Sequence, residues 1–259
     1  GLPEGTEVML ERATPPNSLD VLRGKVAGSE LGLNQMRDVI RDIVDYRYTE
    51  REIVAFLVAA SKELTLSEIQ SLTRARAEYA HHFTWPRDMI VDKHSMGGVP
   101  GSRISMIVIP IVAAHGLWIP KTSSRAITSA AGTADAMECV AEIDLAPEVL
   151  HKVVESAGGC IAWNGRLSHS PVDDVMNSIT RPLGIDSTKL AVTSILSKKV
   201  AAGSSHVVVD IPYGPGTKVA QINEAQELAT LFEAVGSGVG LTVVAVPTDA
   251  SRPIGRGIG

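Results

Sequence analysis

The chain has 259 residues, 44% of them hydrophobic, so it can bury a full core in one large domain or two unequal ones. Its net charge of −5 is spread over scattered residues, which argues against binding to nucleic acid or to an anionic membrane surface. Two distant cysteines, Cys139 and Cys160, argue against a zinc site or a disulfide framework and predict buried thiols in a reducing cytoplasm. The apolar stretch 104–114 is too short to span a bilayer.

The first part of the chain has a helical pattern over residues 34–80. Apolar residues from Met36 to Val44 recur at three- and four-residue spacing, which is typical of an amphipathic helix. Two capping boxes follow, Thr49 with Glu52 and Thr65 with Glu68, and each predicts the start of another helix. This region is therefore predicted to be a small helical subdomain.

After Trp85-Pro86 the pattern changes to short apolar strands that alternate with helices and glycine turns. Such alternation predicts a mainly parallel sheet with helical crossovers, and hence an α/β fold. Strands are predicted at 89–91, 118–120, 160–163, 207–211 and 242–246. Helices are predicted at 104–115, 134–141, 147–157, 187–202 and 219–234.

Two polar, glycine-containing loops each follow a predicted strand and lead into a helix. The first, residues 92–102, carries Lys93 and Ser95 among glycines that let backbone N–H groups approach an anion. The second, residues 121–135, holds six hydroxyls and two cations. Taken singly, the first reads as a plain glycine turn and Thr133 of the second as an N-cap. Because loops after neighbouring parallel strands meet at one edge of the sheet, the pair predicts an anion site.

Two later segments add polar groups. Ser194 and Lys198 are four residues apart and share a helix face, and Asp186 precedes that helix. The alternative interpretation makes Asp186 an N-cap and Lys198 a solvated surface charge. Residues 210–218 form a strand that runs into a glycine turn ending at Lys218, which is expected at the same sheet edge.

In this order, the four segments resemble the thymidine phosphorylase family of nucleoside phosphorylases. The motifs KHS-x-GG-V, S-x-R before GT-x-D, SILSKK-x-A-x-G and D-x-P-x-G cover nearly the whole chain from residue 34. The resemblance implies a helical domain (1–85, completed by 172–201), an α/β domain (86–171 and 202–259) and dimerisation through the helical domain. It also implies that the chain is a piece of a longer polypeptide.

The resemblance also implies the site residues. Lys93, Ser95, Ser123 and Thr133 match phosphate ligands, Ser194 and Lys198 match base-contacting residues, and His94 lies beside the sugar. Residues 124–129 and the Val99-Pro100-Gly101 turn look closer to the branch of type-2 thymidine phosphorylases and AMP phosphorylase. In that branch the nucleotide- and phosphate-binding positions correspond to Gly98, Ser124, Arg125, Ala126, Ile127, Thr128, Ser129, Thr133, Ser194 and Lys218, and the proton donor to Asp186. Asp186 and His94 are the expected catalytic residues, with help to the leaving base coming from Asp186, or from His94 and Lys198.

The expected reaction is phosphorolysis of thymidine, with inorganic phosphate as co-substrate and neither cofactor nor metal. AMP is the alternative substrate, with Arg125 and Lys218 as candidates to bind its 5′-phosphate. Ile179 stands where thymidine phosphorylases have a base-binding arginine, seven residues before Asp186. A phosphoribosyltransferase would need paired acidic residues for magnesium, whereas only the isolated Asp92 and Asp135 are present near the loops. A phosphate-binding module without catalysis is the third alternative.

Overall fold

The structure is a computed structural model that describes residues 5–7, 9, 14–96, 103–125, 132–165, 171–180, 182–185 and 187–252. Its first part contains four helices, α1 (Leu19–Val26), α2 (Leu33–Val44), α3 (Glu50–Lys62) and α4 (Leu66–Glu78). Both predicted capping boxes form, with Glu52 Oε2 accepting from Thr49 N at 2.6 Å and Glu68 Oε2 from Thr65 N at 3.0 Å. The sequence pattern did not reveal the short helix α1. This helix begins after Ser18, and the Ser18 hydroxyl donates to Asp42 instead of capping the helix.

The rest of the chain alternates strands and helices, as predicted. Its elements are β1 (Val91–Ser95), α5 (Ile104–Ala114), β2 (Ile119–Ser123), α6 (Thr133–Glu138), α7 (Pro147–Ala157), β3 (Gly159–Trp163), α8 (Pro171–Thr180), α9 (Thr188–Ala201), β4 (His206–Tyr213), α10 (Ile222–Gly238) and β5 (Thr242–Asp249). Several strands extend two to four residues beyond their predicted ends toward the carboxyl side, into polar sequence that lacks an apolar pattern.

All strand pairings between the described strands are parallel. β1 pairs with β4 and β4 with β5, while β2 pairs with β3. A bridge between Ile90 and Trp118 places β2 on the free side of β1, so the strand order is 3-2-1-4-5. In a sheet of this order, successive strands are added first on one side of β1 and then, from β4 onward, on the other side. Ligands bind at the carboxyl edge of the sheet at this switch point between β1 and β4.

The main apolar core joins the helices to the sheet. It contains the fully buried side chains of Phe56, Ile40 and Leu72 from the helices, together with Val209 of β4 and Phe232 of α10. Burial of one such large side chain contributes about 1.5–3 kcal/mol. Helices α8 and α9 return to pack against α2, α3 and α4, which brings residues of α9 opposite the carboxyl edge of the sheet.

The segment that connects the helices to β1 is held against the end of α9. Phe83 N donates to Ala201 O at 2.8 Å, and Trp85 Nε1 donates to Ala202 O at 2.8 Å. Gly203, just past the end of α9, adopts a left-handed φ of 70°. A Cβ at this position would lie 2.4 Å from Phe83 O, so the close approach requires glycine.

The prediction that both cysteines are buried was wrong for one of them. Cys160 is buried in β3, but Cys139 is exposed because it lies at the C-terminal cap of the short helix α6. Burial raises the pKa of the Cys160 thiol to about 12.

Candidate active site

A large cavity of about 1230 Å³ lies between helices α4, α8 and α9 and the carboxyl edge of the sheet. Every predicted site residue that the structure describes lines this cavity. They are Lys93, His94, Ser95, Ser123, Ser124, Arg125, Thr133, Ser194, Lys198 and Lys218. The other predicted positions, Gly98, Ala126, Ile127, Thr128, Ser129 and Asp186, lie outside the described residues. The four polar segments therefore face one shared space, as predicted.

The end of β1 supplies a cation and a hydroxyl. Lys93 Nζ donates to Ser95 Oγ at 2.7 Å and approaches Ser105 Oγ, on the first turn of α5, at 3.4 Å. Ser95 Oγ in turn donates to Asp210 Oδ2 at 2.9 Å. Burial lowers the pKa of Lys93, while the charge of Asp210 acts in the opposite direction. A short chain of hydrogen bonds thus crosses from β1 to β4 at the position where the strand order reverses.

The end of β2 and the start of α6 supply further hydroxyls. Ser123 is the last residue of β2, and Thr133 is the first residue of α6. The interpretation of Thr133 as an N-cap was wrong, because Gly132 is the N-cap and its N–H donates to Asp135 Oδ2 at 2.7 Å. The Thr133 side chain is therefore not needed to cap the helix, and it lines the cavity.

Arg125 also borders the cavity, but acidic side chains already hold it. Its guanidinium donates to Glu138 Oε1 at 2.7 Å and lies 3.3 Å from Asp135 Oδ1. It also lies over the Trp163 ring, 4.9 Å from the centroid. The hydrogen bond with Glu138 raises the pKa of Arg125. A phosphate would have to compete with two carboxylates for this guanidinium.

The opposite wall of the cavity contains the predicted Ser194 and Lys198 pair. Lys198 Nζ lies 3.0 Å from Ser194 Oγ, and both donate to Asp173 Oδ2, at 2.6 and 2.8 Å respectively. Asp173 also pairs with Arg76 of α4. Lys198 is therefore not a solvated surface charge; burial and the nearby charge of Arg76 lower its pKa to about 7. The N-cap of α9 is Ser187, whose Oγ accepts from Leu190 N at 3.4 Å.

Further amines surround His94 at the sheet. Lys121 of β2 is only 5% exposed, and its Nζ donates to the carbonyl oxygen of Thr122. Burial, together with the charge of Lys199, lowers the pKa of Lys121 to about 7. Burial also lowers the pKa of His94 well below its usual 6.5, and four neighbouring lysines act in the same direction. His94 is consequently neutral at neutral pH and can accept or share a hydrogen bond, but it is not a proton donor as an imidazolium.

Several cavity residues were not predicted as site residues. Arg76, Asp173, Ser105 and Thr248 lie far from the polar loops in sequence, or on apolar elements, and no local signal marks them. Lys121 and Asp210 lie within the polar segments 121–135 and 210–218, but the groups that they contact depend on the neighbouring strands. Ile179, at the position of the family's arginine, is 7% exposed and packs in the main core, so it contributes no polar group to the cavity.

None of the described helices combines the length and apolar character needed to cross a bilayer. In the described part of the chain, His, Cys, Asp and Glu side chains form no group of three that could ligate a metal ion.

Comparison with known proteins gives related sequences over the whole chain. The chain is 60% identical over 259 residues to the bifunctional ribose 1,5-bisphosphokinase-thymidine phosphorylase of Azorhizobium caulinodans, covering 100% of this chain and 37% of that relative. It is 56% identical over 256 residues to the protein of the same name from Roseobacter denitrificans, covering 99% of this chain and 38% of the relative. The chain therefore spans well under half the length of these relatives.

Structural comparison and family assignment agree on the fold. Anthranilate phosphoribosyltransferase from Thermus thermophilus superposes with a TM-score of 0.68 at 20% identity, covering 84% of this chain and 64% of that chain. Residues 19–80 match the helical bundle domain of the glycosyl transferase family, and residues 87–257 match its a/b domain. The predicted combination of a helical part and a parallel α/β part is confirmed, and the chain belongs to this glycosyl transferase family.

Proposed function

We propose that this chain forms the active-site region of a pentosyltransferase that cleaves thymidine with phosphate, giving thymine and 2-deoxyribose 1-phosphate. The observation that carries the proposal is the single cavity in which Lys93, Ser95, Ser123 and Thr133 face the Ser194–Lys198 pair. One wall is suited to an oxyanion and the other to a polar ring. The names of the relatives, which include thymidine phosphorylase, support the same reaction.

In this reaction a phosphate oxygen attacks C1′ of the sugar, and the bond from C1′ to the base nitrogen breaks with its electron pair going to the base. The residues at the ends of β1 and β2 hold the phosphate in line with that bond, which lowers the entropic part of the barrier. Lys198, with a pKa of about 7, is suited to donate a hydrogen bond or proton to the departing base. Asp186 is the second candidate for this donor, and neutral His94 lies beside the sugar.

A second candidate substrate is AMP, whose phosphorolysis gives adenine and ribose 1,5-bisphosphate. The relatives carry the name of a ribose 1,5-bisphosphokinase, so one of their activities acts on this product. A 5′-phosphate needs a further cation, and Lys218 and Arg252 both line the cavity. Arg125, the other candidate, is already held by Glu138 and Asp135.

The test is phosphate-dependent release of base from thymidine, uridine and AMP by the intact protein. We expect turnover of thymidine, and a Lys93→Ala variant should lose about 10²–10³-fold in kcat/KM, because an oxyanion-binding group is removed. The exposed Lys152 of α7 provides the control, and Lys152→Ala should retain activity. Turnover of AMP alone would select the second candidate. Binding of phosphate with no turnover of any of the three would contradict both and favour the non-catalytic module.

Dimerisation through the helical part remains a prediction. Sedimentation of the intact protein tests it, and a monomer at assay concentration would contradict it.

A further inference from the structure

One side chain at the floor of the cavity has a charge opposite to what an anion site requires. Asp210 lies on β4 directly beside Ser95 on β1, where the two residues are partners in the parallel register. Its Oδ2 accepts from Ser95 Oγ at 2.9 Å, and its Oδ1 accepts from Thr248 Oγ1 at 2.6 Å. Asp210 itself lines the cavity. An acidic group therefore lies next to the hydroxyl that is proposed to bind phosphate.

The directions of these hydrogen bonds follow from the chemistry of the groups. A lysine ammonium only donates, so Ser95 Oγ accepts from Lys93 Nζ and gives its single proton to Asp210. An ionised carboxylate only accepts, and its two oxygens together can accept about four hydrogen bonds. Ser95 and Thr248 use one on each oxygen, which leaves acceptor capacity on Asp210. An oxyanion that Lys93 holds beside Ser95 would therefore meet hydrogen-bond acceptors, because the Ser95 proton is already given to Asp210.

We propose that Asp210 makes this cavity selective for oxyanions that carry a proton, so that phosphate binds more tightly than sulfate. This inference rests on the proposed function, because it assumes that phosphate binds at Lys93 and Ser95. At neutral pH inorganic phosphate and arsenate each carry at least one acidic proton, whereas sulfate carries none. A protonated oxyanion can donate a charge-assisted hydrogen bond to Asp210, which is one of the stronger kinds of hydrogen bond in proteins. Sulfate would place a bare negative oxygen against the carboxylate.

The cations of the cavity cannot produce this discrimination. Lys93, Lys121 and Lys198 attract any anion, and attraction between charges does not depend on whether an oxygen carries a proton. Hydroxyl donors such as Ser123 and Thr133 likewise serve phosphate and sulfate alike. Only a group that accepts a hydrogen bond from the ligand can separate the two, and Asp210 is such a group beside Ser95.

The test is calorimetric titration of the intact protein with phosphate, arsenate and sulfate. We expect the wild type to bind phosphate and arsenate at least about tenfold more tightly than sulfate, as expected for one charge-assisted hydrogen bond. Asp210→Asn should bring the ratio of the sulfate to the phosphate dissociation constant close to one, mainly by improving sulfate binding. Asp249→Asn is the matched control: Asp249 lines the same cavity and carries the same charge, but it accepts from Ser251 N instead of from Ser95. This control should shift both affinities together and leave the ratio unchanged.

Each outcome separates the inference from the proposed function. If the wild type binds phosphate but Asp210→Asn keeps the wild-type ratio, or if both aspartate variants change it equally, the role of Asp210 is wrong while the phosphate site stands. If the wild type binds none of the three anions, the proposed function fails first. Asp210→Ser, which keeps a hydroxyl beside Ser95, carries the same expectation should the asparagine variant not fold, as judged by circular dichroism.

Discussion

Asp173 accepts hydrogen bonds from Ser194 and Lys198 and pairs with Arg76, so one buried carboxylate organises a whole wall of the cavity. Its side chain is 6% exposed, and it lies between two cations that would otherwise repel each other. Removal of one partner from a buried ionic group leaves uncompensated charge. Under the proposed function, we therefore expect Asp173 to be a positioning residue that acts on the substrate through Lys198 and Ser194.

Replacing Asp173 with asparagine should lower the free energy of unfolding by about 3–5 kcal/mol, because Arg76 and Lys198 lose their shared counter-charge. It should also raise KM for the nucleoside about tenfold or more, since Ser194 and Lys198 are no longer held together, while KM for phosphate changes less. Urea denaturation and initial rates measure the two effects. The neighbouring Asp174 is exposed, and Asp174→Asn should change both quantities little. Equal increases in the two KM values for Asp173→Asn would contradict the positioning role.

At the scale of elements, the two capping boxes look alike in sequence but differ in their surroundings. Glu52 at the start of α3 bonds only locally, to the Thr49 N–H and hydroxyl. Glu68 at the start of α4 caps the Thr65 N–H, and its other oxygen pairs with Lys25 at 2.6 Å and accepts from Leu31 N at 3.0 Å. Glu68 is 1% exposed, so a local capping motif also joins α1 to α4 through a buried ion pair.

Glu68→Gln is therefore expected to cost about 3–5 kcal/mol of unfolding free energy, because Lys25 would be left buried and unpaired. The same change in the exposed box, Glu52→Gln, should cost about 1 kcal/mol or less, which is typical of a cap alone. Chemical denaturation of the two variants compares the boxes directly. A similar loss for both would show that the ion pair between Lys25 and Glu68 adds nothing beyond capping.

At the scale of the whole molecule, lysine amino groups line the cavity on both of its walls. Lys121 from the sheet and Lys198 from α9 each have a pKa lowered to about 7 from the usual lysine value of 10.5. Because these pKa values are lower in the folded chain than in the unfolded one, the unfolded chain binds more protons between about pH 7 and pH 10. The two lysines therefore make the free energy of unfolding rise with pH over that range.

Phosphate binding should reverse this loss of charge. At pH 8 Lys121, whose pKa is about 7, is mostly neutral in the empty cavity, and a bound anion raises that pKa, so binding should take up protons and should weaken as the pH rises from 7 to 9. Calorimetry at pH 8 in buffers with different ionisation enthalpies measures the uptake. Lys121→Met should reduce it, whereas the exposed-residue change Lys152→Met should not. Proton release on binding, or uptake that Lys121→Met leaves unchanged, would contradict this account.

The sequence alone predicts most of the secondary-structure elements but fewer of the contacts within the site. The helices of residues 34–80 and most of the alternating strands and helices after Pro86 follow from local periodicity, caps and glycine turns, so they were predicted with small errors at their ends, whereas α8 was not predicted. The carboxyl ends of the strands were missed because residues such as Lys93 and Ser95 are polar. They are strand residues because they pair with β4, and that contact is not local.

Within the site, the amino-acid sequence by itself determined which segments bring polar groups to the cavity, because glycines, hydroxyls and cations occur together within short stretches. Only the tertiary structure decided which carboxylates meet them. Asp173 reaches Lys198 across 25 residues, Asp210 reaches Ser95 across 115, and Glu138 occupies Arg125. Such contacts depend on the strand order 3-2-1-4-5 and on the return of α8 and α9 to the helices, neither of which leaves a local signal. Pairing between distant segments is set by packing and burial, and these are properties of the folded chain.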